Sequence, residues 1–180
     1  MPNKDNRTRL QLFVAALACA FASASVPAFA VEKLPTGDPC TVVPLAAVQK
    51  LFPNVKTAVR DRSIEKYGDT RCLFNDANGV WMFGVTESLG DYSAMEEAQG
   101  MMVLTKGVVY EKLSGVAPEA VAFVELADPK RGIPTDISML VMKKGQHILE
   151  LGSTDLPKRG RAAALKVFDE LGRIAAKRLK

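Results

Sequence analysis

The residues able to do chemistry here are three cysteines, one histidine and a scatter of carboxylates. Cys40 and Cys72 are separated too widely for a close redox pair. A metal site would need more ligands than these two and His147, the chain's single histidine. Two cysteines in one domain in an oxidising compartment are expected to join as a disulfide, closing a loop for which chain entropy gives roughly 3–4 kcal/mol. His147 is the one imidazole that could serve a nucleophile, and no G-x-S-x-G elbow accompanies it. It shares a strand face with Leu149 and Leu151, as an ordinary strand-end histidine does. Glu87, Asp91, Glu96, Glu97, Glu111, Glu119, Glu125 and Glu150 could support hydrolysis as a pair. No spacing singles out two of them, so they read as solvated surface acids. Walker and dinucleotide glycine patterns are absent. No catalytic, metal or cofactor-binding residue is assigned, and no cofactor is expected.

Trp81, the only tryptophan, stands near Phe74 and Phe83 in one hairpin. Aromatic clusters of this kind are usually core, but Trp81 and Phe83 are the candidate contacts for a small apolar or aromatic ligand. Met95, Met101, Met102, Met139 and Met142 read as core rather than as a copper site.

The compartment is read from residues 1–30. Arg7 and Arg9 precede an apolar run, Leu10 to Ala22, that ends in small residues and Ala28-Phe29-Ala30. A positive start, an apolar middle and an A-x-A site make a secretory signal peptide. The run is short for a transmembrane span. The expected mature protein is residues 31–180, one domain, periplasmic or secreted. Cys19 lies in Ala16-Leu17-Ala18-Cys19, a partial lipoprotein box that would anchor the protein to lipid. The mature charge falls to +2, too near neutral to attract nucleic acid.

The elements that must position these residues follow from periodicity. Leu45, Val48, Leu51 and Phe52 form a helical face that Pro53 ends. Thr57–Lys66 and Thr70–Asn75 read as strands. Asn78-Gly79 signals a two-residue type I′ turn into the strand Val80–Glu87, with Trp81, Phe83 and Val85 on one side. Asp91 or Ser93 caps a helix running to about Lys106. Strands follow at Tyr110–Leu113, Val121–Leu126, Ile137–Lys143 and His147–Leu151. A final helix starts at Pro157 or Lys158, with Leu165, Phe168, Leu171, Ala175 and Leu179 as its apolar stripe. Its basic residues read as a solvated face, and its front, Lys158, Arg159 and Arg161, is the part able to meet anionic headgroups. Strand, turn, strand, helix recurs at 70–106 and 137–179. The predicted fold is α+β: an antiparallel sheet built from two ββα-like units with helices packed on one face.

Cys40 before a short helix, Cys72-Leu73-Phe74 in a strand, Gly115-Val116-Ala117-Pro118-Glu119-Ala120 and the Lys144-Gly145 hairpin make a recognisable series. The chain resembles a loosely defined group of small exported bacterial proteins of unknown function. Their pattern is Cys…Cys-x-aromatic with a later Gly-Val-Gly-Asp-x-Ala turn. Ala117-Pro118 stands where Gly-Asp is usual. The resemblance implies fold and compartment and carries across no catalytic residue. The expected function is binding of a partner or small ligand in the cell envelope. The alternatives are a carboxylate-dependent hydrolase of envelope or sugar substrates, or a lipid-anchored envelope component.

Overall fold

A computed structural model describes residue 35 and residues 37–179. The predicted signal peptide, residues 1–30 with Cys19, lies outside the described residues. Seven strands form one antiparallel sheet: β1 (Thr57–Asp61), β2 (Thr70–Asn75), β3 (Trp81–Leu89), β4 (Glu111–Lys112), β5 (Glu119–Glu125), β6 (Ile137–Lys144) and β7 (His147–Ser153). Their order is β1-β2-β3-β7-β6-β5-β4. Two meanders, β1–β3 and β4–β7, therefore meet where β3 pairs with β7. Each meander ends in a helix: α3 (Ala94–Met101) after β3 and α4 (Arg161–Arg178) after β7. The short α1 (Pro39–Val42) and α2 (Leu45–Leu51) precede the sheet. The class is α+β, and hairpin–helix units recur as the sequence suggests.

The helices do not share one face. Period-2 alternation sends Cys72, Phe74, Phe83, Val85, Ala120, Ala122, Leu140, Met142, Leu149 and Leu151 to an inner face, where α1, α2 and α4 pack. Val121, Phe123, Val141 and Ile148 point to the outer face, where α3 covers them with Ala94, Ala98 and Met102. The cause is local: β5 and β6 carry apolar side chains at successive positions, so each exposes oil on both sides and needs two covers. The outer face of the β1–β3 half mixes polar and apolar side chains, Asp61, Arg71 and Thr86 beside Val59 and Leu73, and carries no described helix.

Turn chemistry departs from expectation once. The β2–β3 hairpin is present, but Asn78 does not adopt positive φ, so the turn is not type I′. The Asp76 carboxylate accepts from the Asn78 and Val80 N–H groups (both 2.8 Å), and only Gly79 takes the left-handed conformation, φ +79°. A carboxylate holding two loop N–H groups favours this longer turn. The β6–β7 turn is the tight one, with Gly145 at its first central position and Lys144 paired to His147.

The last helix begins at Arg161 rather than at Pro157 or Lys158; a 3₁₀ turn, Leu156–Arg159, and Gly160 precede it. α4 then lies close on the inner face. A methyl group on Gly172 would sit 2.6 Å from Val116 Cγ1 and 2.7 Å from a Leu140 methyl, so only glycine permits that approach. The Lys144 ammonium donates to the Ala176 and Leu179 carbonyls, placing a cation at the negative end of the helix.

Cys40, in α1, is bonded to Cys72, in β2, with their Cα atoms 5.0 Å apart. The bridge ties the N-terminal segment to the sheet, as the sequence predicts. That bond is compatible with an extracytoplasmic location. Among the described residues, no helix is long and apolar enough to cross a membrane.

Candidate functional site

The site is built on the outer face, at the junction of the two meanders. Gly84 of β3 lies opposite Gly152 of β7, and this pair forms a floor without side chains. Trp81 and Leu73 on one side and Ile137 and Met139 on the other rise around it, with Arg71, Thr86, Ser138 and Glu150 supplying polar groups. The result is an open groove of about 510 Å³. A methyl on Gly84 would come 3.0 Å from Trp81 Nε1, so the indole lies directly over that glycine.

Trp81 reaches this face through an irregularity that the sequence does not announce. Phe74 pairs with Phe83, but Asn75 pairs with Trp81, leaving Met82 as an extra residue on β3. This β-bulge reverses the alternation, so Trp81 does not share a face with Phe83 and Val85. The bulge is held from β7: Ser153 Oγ donates to the Met82 carbonyl (2.9 Å), and Ser138 Oγ donates to the Ser153 carbonyl (2.8 Å). Trp81 is 37% exposed, whereas Phe83 is fully buried. Phe83 packs between Phe52 and Phe74, with ring centroids 5.4 and 5.8 Å away. Of the two candidate contacts, Trp81 lines the groove and Phe83 is core.

At the end of the groove, β7 passes beneath α3. Ile148 is covered by the helix, Gly152 is groove floor, and Glu150 stands between them on the same face. Its carboxyl meets that of Glu97 from α3. Burial raises the Glu150 pKa most, followed by the charge of Glu97, the hydrogen bond with it, and the charge of Asp69; Arg71 opposes them, and the outcome is about 8. The two carboxyls therefore hold a proton between them, and it makes the hydrogen bond they share. Tyr92 stands in the same cluster. Burial raises its phenol, a hydrogen bond with Ser88 opposes this, and Glu97 and Glu150 add to the rise. Arg71 is anchored by an ion pair with Asp61, which the Ser63 N–H and Arg71 hold down to about 2. Sequence reasoning named Glu97 and Glu150 only among many acids. They lie 53 positions apart, and no local signal pairs them.

This pair has a measurable consequence. A carboxyl with pKa near 4.5 unfolded and about 8 folded binds its proton more tightly in the native state. Its contribution to stability is complete below pH 4.5 and is lost as pH rises to 8, by at most about 1.4 kcal/mol per pH unit. Chemical denaturation between pH 5 and 8.5 should show the wild type losing stability over this range. Glu150→Gln should flatten that slope. Equal slopes in the two proteins would place the proton elsewhere.

His147 takes no part in the groove. It lies on the inner face, where Nδ1 and the buried Glu87 carboxylate are 2.6 Å apart. Among the described residues, no hydroxyl or thiol bonds to the imidazole, so this is a pair across neighbouring strands rather than a nucleophile–base set. No three-residue metal-binding group occurs among the described residues. Other acids are engaged structurally: Glu96 closes a capping box with Ser93, Glu119 accepts from the Ala94 N–H, Glu111 pairs with Arg161, and Glu125 pairs with Arg131 at 3.0 Å.

No protein-family model, curated protein or solved structure matches this chain.

Proposed function

We propose that this chain is an exported domain, periplasmic or secreted, that binds a small ligand in the groove above Gly84 and Gly152. The observation that carries the reading is the placement of Trp81. A bulge turns the chain's one tryptophan out of the core and holds it, partly exposed, over a floor of two glycines. Large aromatics are ordinarily buried more completely, and an aromatic wall with a few polar groups is a usual ligand-site composition. The ligand the groove suits is compact, with an apolar or aromatic face for Trp81 and Leu73. It carries one hydrogen-bonding group for Thr86 or Glu150. The signal segment, the disulfide and the resemblance to small exported bacterial proteins support the compartment.

Protein recovered from its own cell envelope should carry the ligand, identifiable by mass spectrometry after denaturation. Adding that molecule back should shift Trp81 fluorescence. Trp81→Ala should weaken its binding about tenfold or more by calorimetry, the scale of one lost aromatic contact. Binding unaffected by Trp81→Ala would exclude the groove.

The Glu97–Glu150 contact favours a second reading, a carboxylate-dependent hydrolase acting on envelope or sugar substrates. A carboxyl that keeps its proton at neutral pH is suited to general-acid chemistry. Contact between the two leaves no room for the water or sugar ring that separates glycosidase carboxyls by about 5–9.5 Å, so a proton-sharing dyad is the relevant geometry. Hydrolysis abolished by Glu150→Gln in a folded protein would establish this reading over simple binding.

A further inference from the structure

One edge of the molecule joins three segments that are distant in sequence. Residues 103–109 follow α3, residues 126–133 follow β5, and residues 157–161 lead into α4. Hydrogen bonds clasp them. Arg131 donates from Nε to the Lys106 carbonyl (3.0 Å) and from Nη2 to that of Gly107 (2.8 Å). The Lys106 N–H donates to the Arg131 carbonyl at 3.2 Å. Arg161 reaches the Val109 carbonyl (2.9 Å), and Arg161, Pro157 and Leu126 line one shallow cleft.

This clasped edge displays aliphatic side chains that a folded domain has no internal reason to expose. Leu104 is 87% exposed, Val103 76%, Leu126 59% and Val109 56%. They account for four of the nine large exposed apolar residues among those described. Lysines stand among them: Lys106, Lys130 and Lys158 are exposed and make no ion pair among the described residues. Three of the acids nearby are paired with arginines. Glu125 pairs with Arg131, Glu111 with Arg161, and Asp155 with Arg159. The Asp128 and Asp136 carboxylates accept from the Lys130 and Ala127 N–H groups, which leaves two carboxylate charges against the three lysines.

We infer that this edge docks on an anionic bilayer surface, inserting Val103 and Leu104 at the headgroup–acyl boundary while Lys106, Lys130 and Lys158 meet lipid phosphates. Shallow apolar insertion beside unpaired cations is the composition of interfacial membrane binding. A protein partner built around this edge would need acids facing three separated lysines. A lipid surface presents negative charge continuously and imposes no register. The inference uses neither Trp81 nor the glycine floor of the groove, so it does not depend on the ligand-binding reading.

Co-sedimentation with vesicles tests it, using the chain as recovered from the envelope and comparing variants within that form. Any contribution from the first thirty residues is then common to all of them. On phosphatidylglycerol–phosphatidylcholine vesicles, Leu104→Asp should lower the partition coefficient about tenfold or more. Combined Lys106→Glu, Lys130→Glu and Lys158→Glu should lower it about a hundredfold. Rising salt should erase the wild type's preference for these vesicles over pure phosphatidylcholine. All four positions are exposed, so circular dichroism should show unchanged folding. Equal partition of wild type and both variants would overturn the inference. So would self-association, abolished by Leu104→Asp, in protein that ignores vesicles; that would assign the edge to a second copy of the chain.

Discussion

A chain ended at Asp155 should fail to fold cooperatively and should aggregate. The truncation removes α4, whose Ala164, Val167, Phe168, Leu171 and Ala175 are buried against the inner face. It uncovers Ala122, Leu140, Met142 and Leu149, all fully buried in the intact domain. At about 1.5–3 kcal/mol for each large apolar side chain fully buried, losing this cover is on the scale of the whole ~5–15 kcal/mol by which domains are usually stable. Phe168→Ala is the graded form of the same experiment. This ring is fully buried at the centre of the stripe, and its removal should cost about 3–5 kcal/mol. Urea denaturation followed by circular dichroism checks both. A truncated protein with a sharp unfolding transition and unchanged midpoint would show that α4 is not part of the core.

Reducing the Cys40–Cys72 bond, or replacing Cys40 with Ser, should destabilise the domain by about 2–5 kcal/mol, the usual range for a native bridge in a small disulfide-bonded domain. For a domain of this size each kcal/mol corresponds to about 2–4 °C of melting temperature. The bond's place in the fold supports a value well above zero. α1 has only four residues and α2 seven, too few to hold themselves as isolated helices. They nevertheless supply Val42, Val43, Val48 and Phe52 to the inner core, and the bridge fastens their start to β2. Once it is open, this segment has only its own packing to keep it on the sheet. Local opening should then precede global unfolding, visible as faster hydrogen exchange across residues 38–55 than across β6 and β7. Identical melting curves with and without reductant would falsify a stabilising role for the bond.

Much of this was legible in the chain. The strands read at 70–75, 137–143 and 147–151 are present, the last two running on to 144 and 153, and the Lys144-Gly145 turn marks where one ends and the next begins. The buried face of α4 follows from the spacing of Phe168, Leu171, Ala175 and Leu179, because a helix repeats every 3.6 residues whatever it packs against. The cysteine pair was readable because only two cysteines follow residue 30. Even the two-sided burial of β5 and β6 had a trace in their unbroken apolar runs, although a run cannot say which helix covers which side.

The groove and the Glu97–Glu150 pair needed the tertiary structure. Alternation assigns Trp81 to the face of Phe83, and one extra residue, Met82, moves it to the other. A bulge is a property of two strands in register, and its support comes from Ser153, 71 positions away from Met82. Gly84 and Gly152 look like isolated weak points in separate strands until β3 and β7 pair and set them side by side. Glu150 becomes a proton-holding carboxyl only when α3 crosses over β7 and removes it from water beside another acid. Sequence determines local periodicity and covalent chemistry, since these depend on neighbours along the chain. Which faces meet, and what dielectric and charge a side chain then experiences, depends on neighbours in space, and for this protein the candidate site lies wholly in that second category.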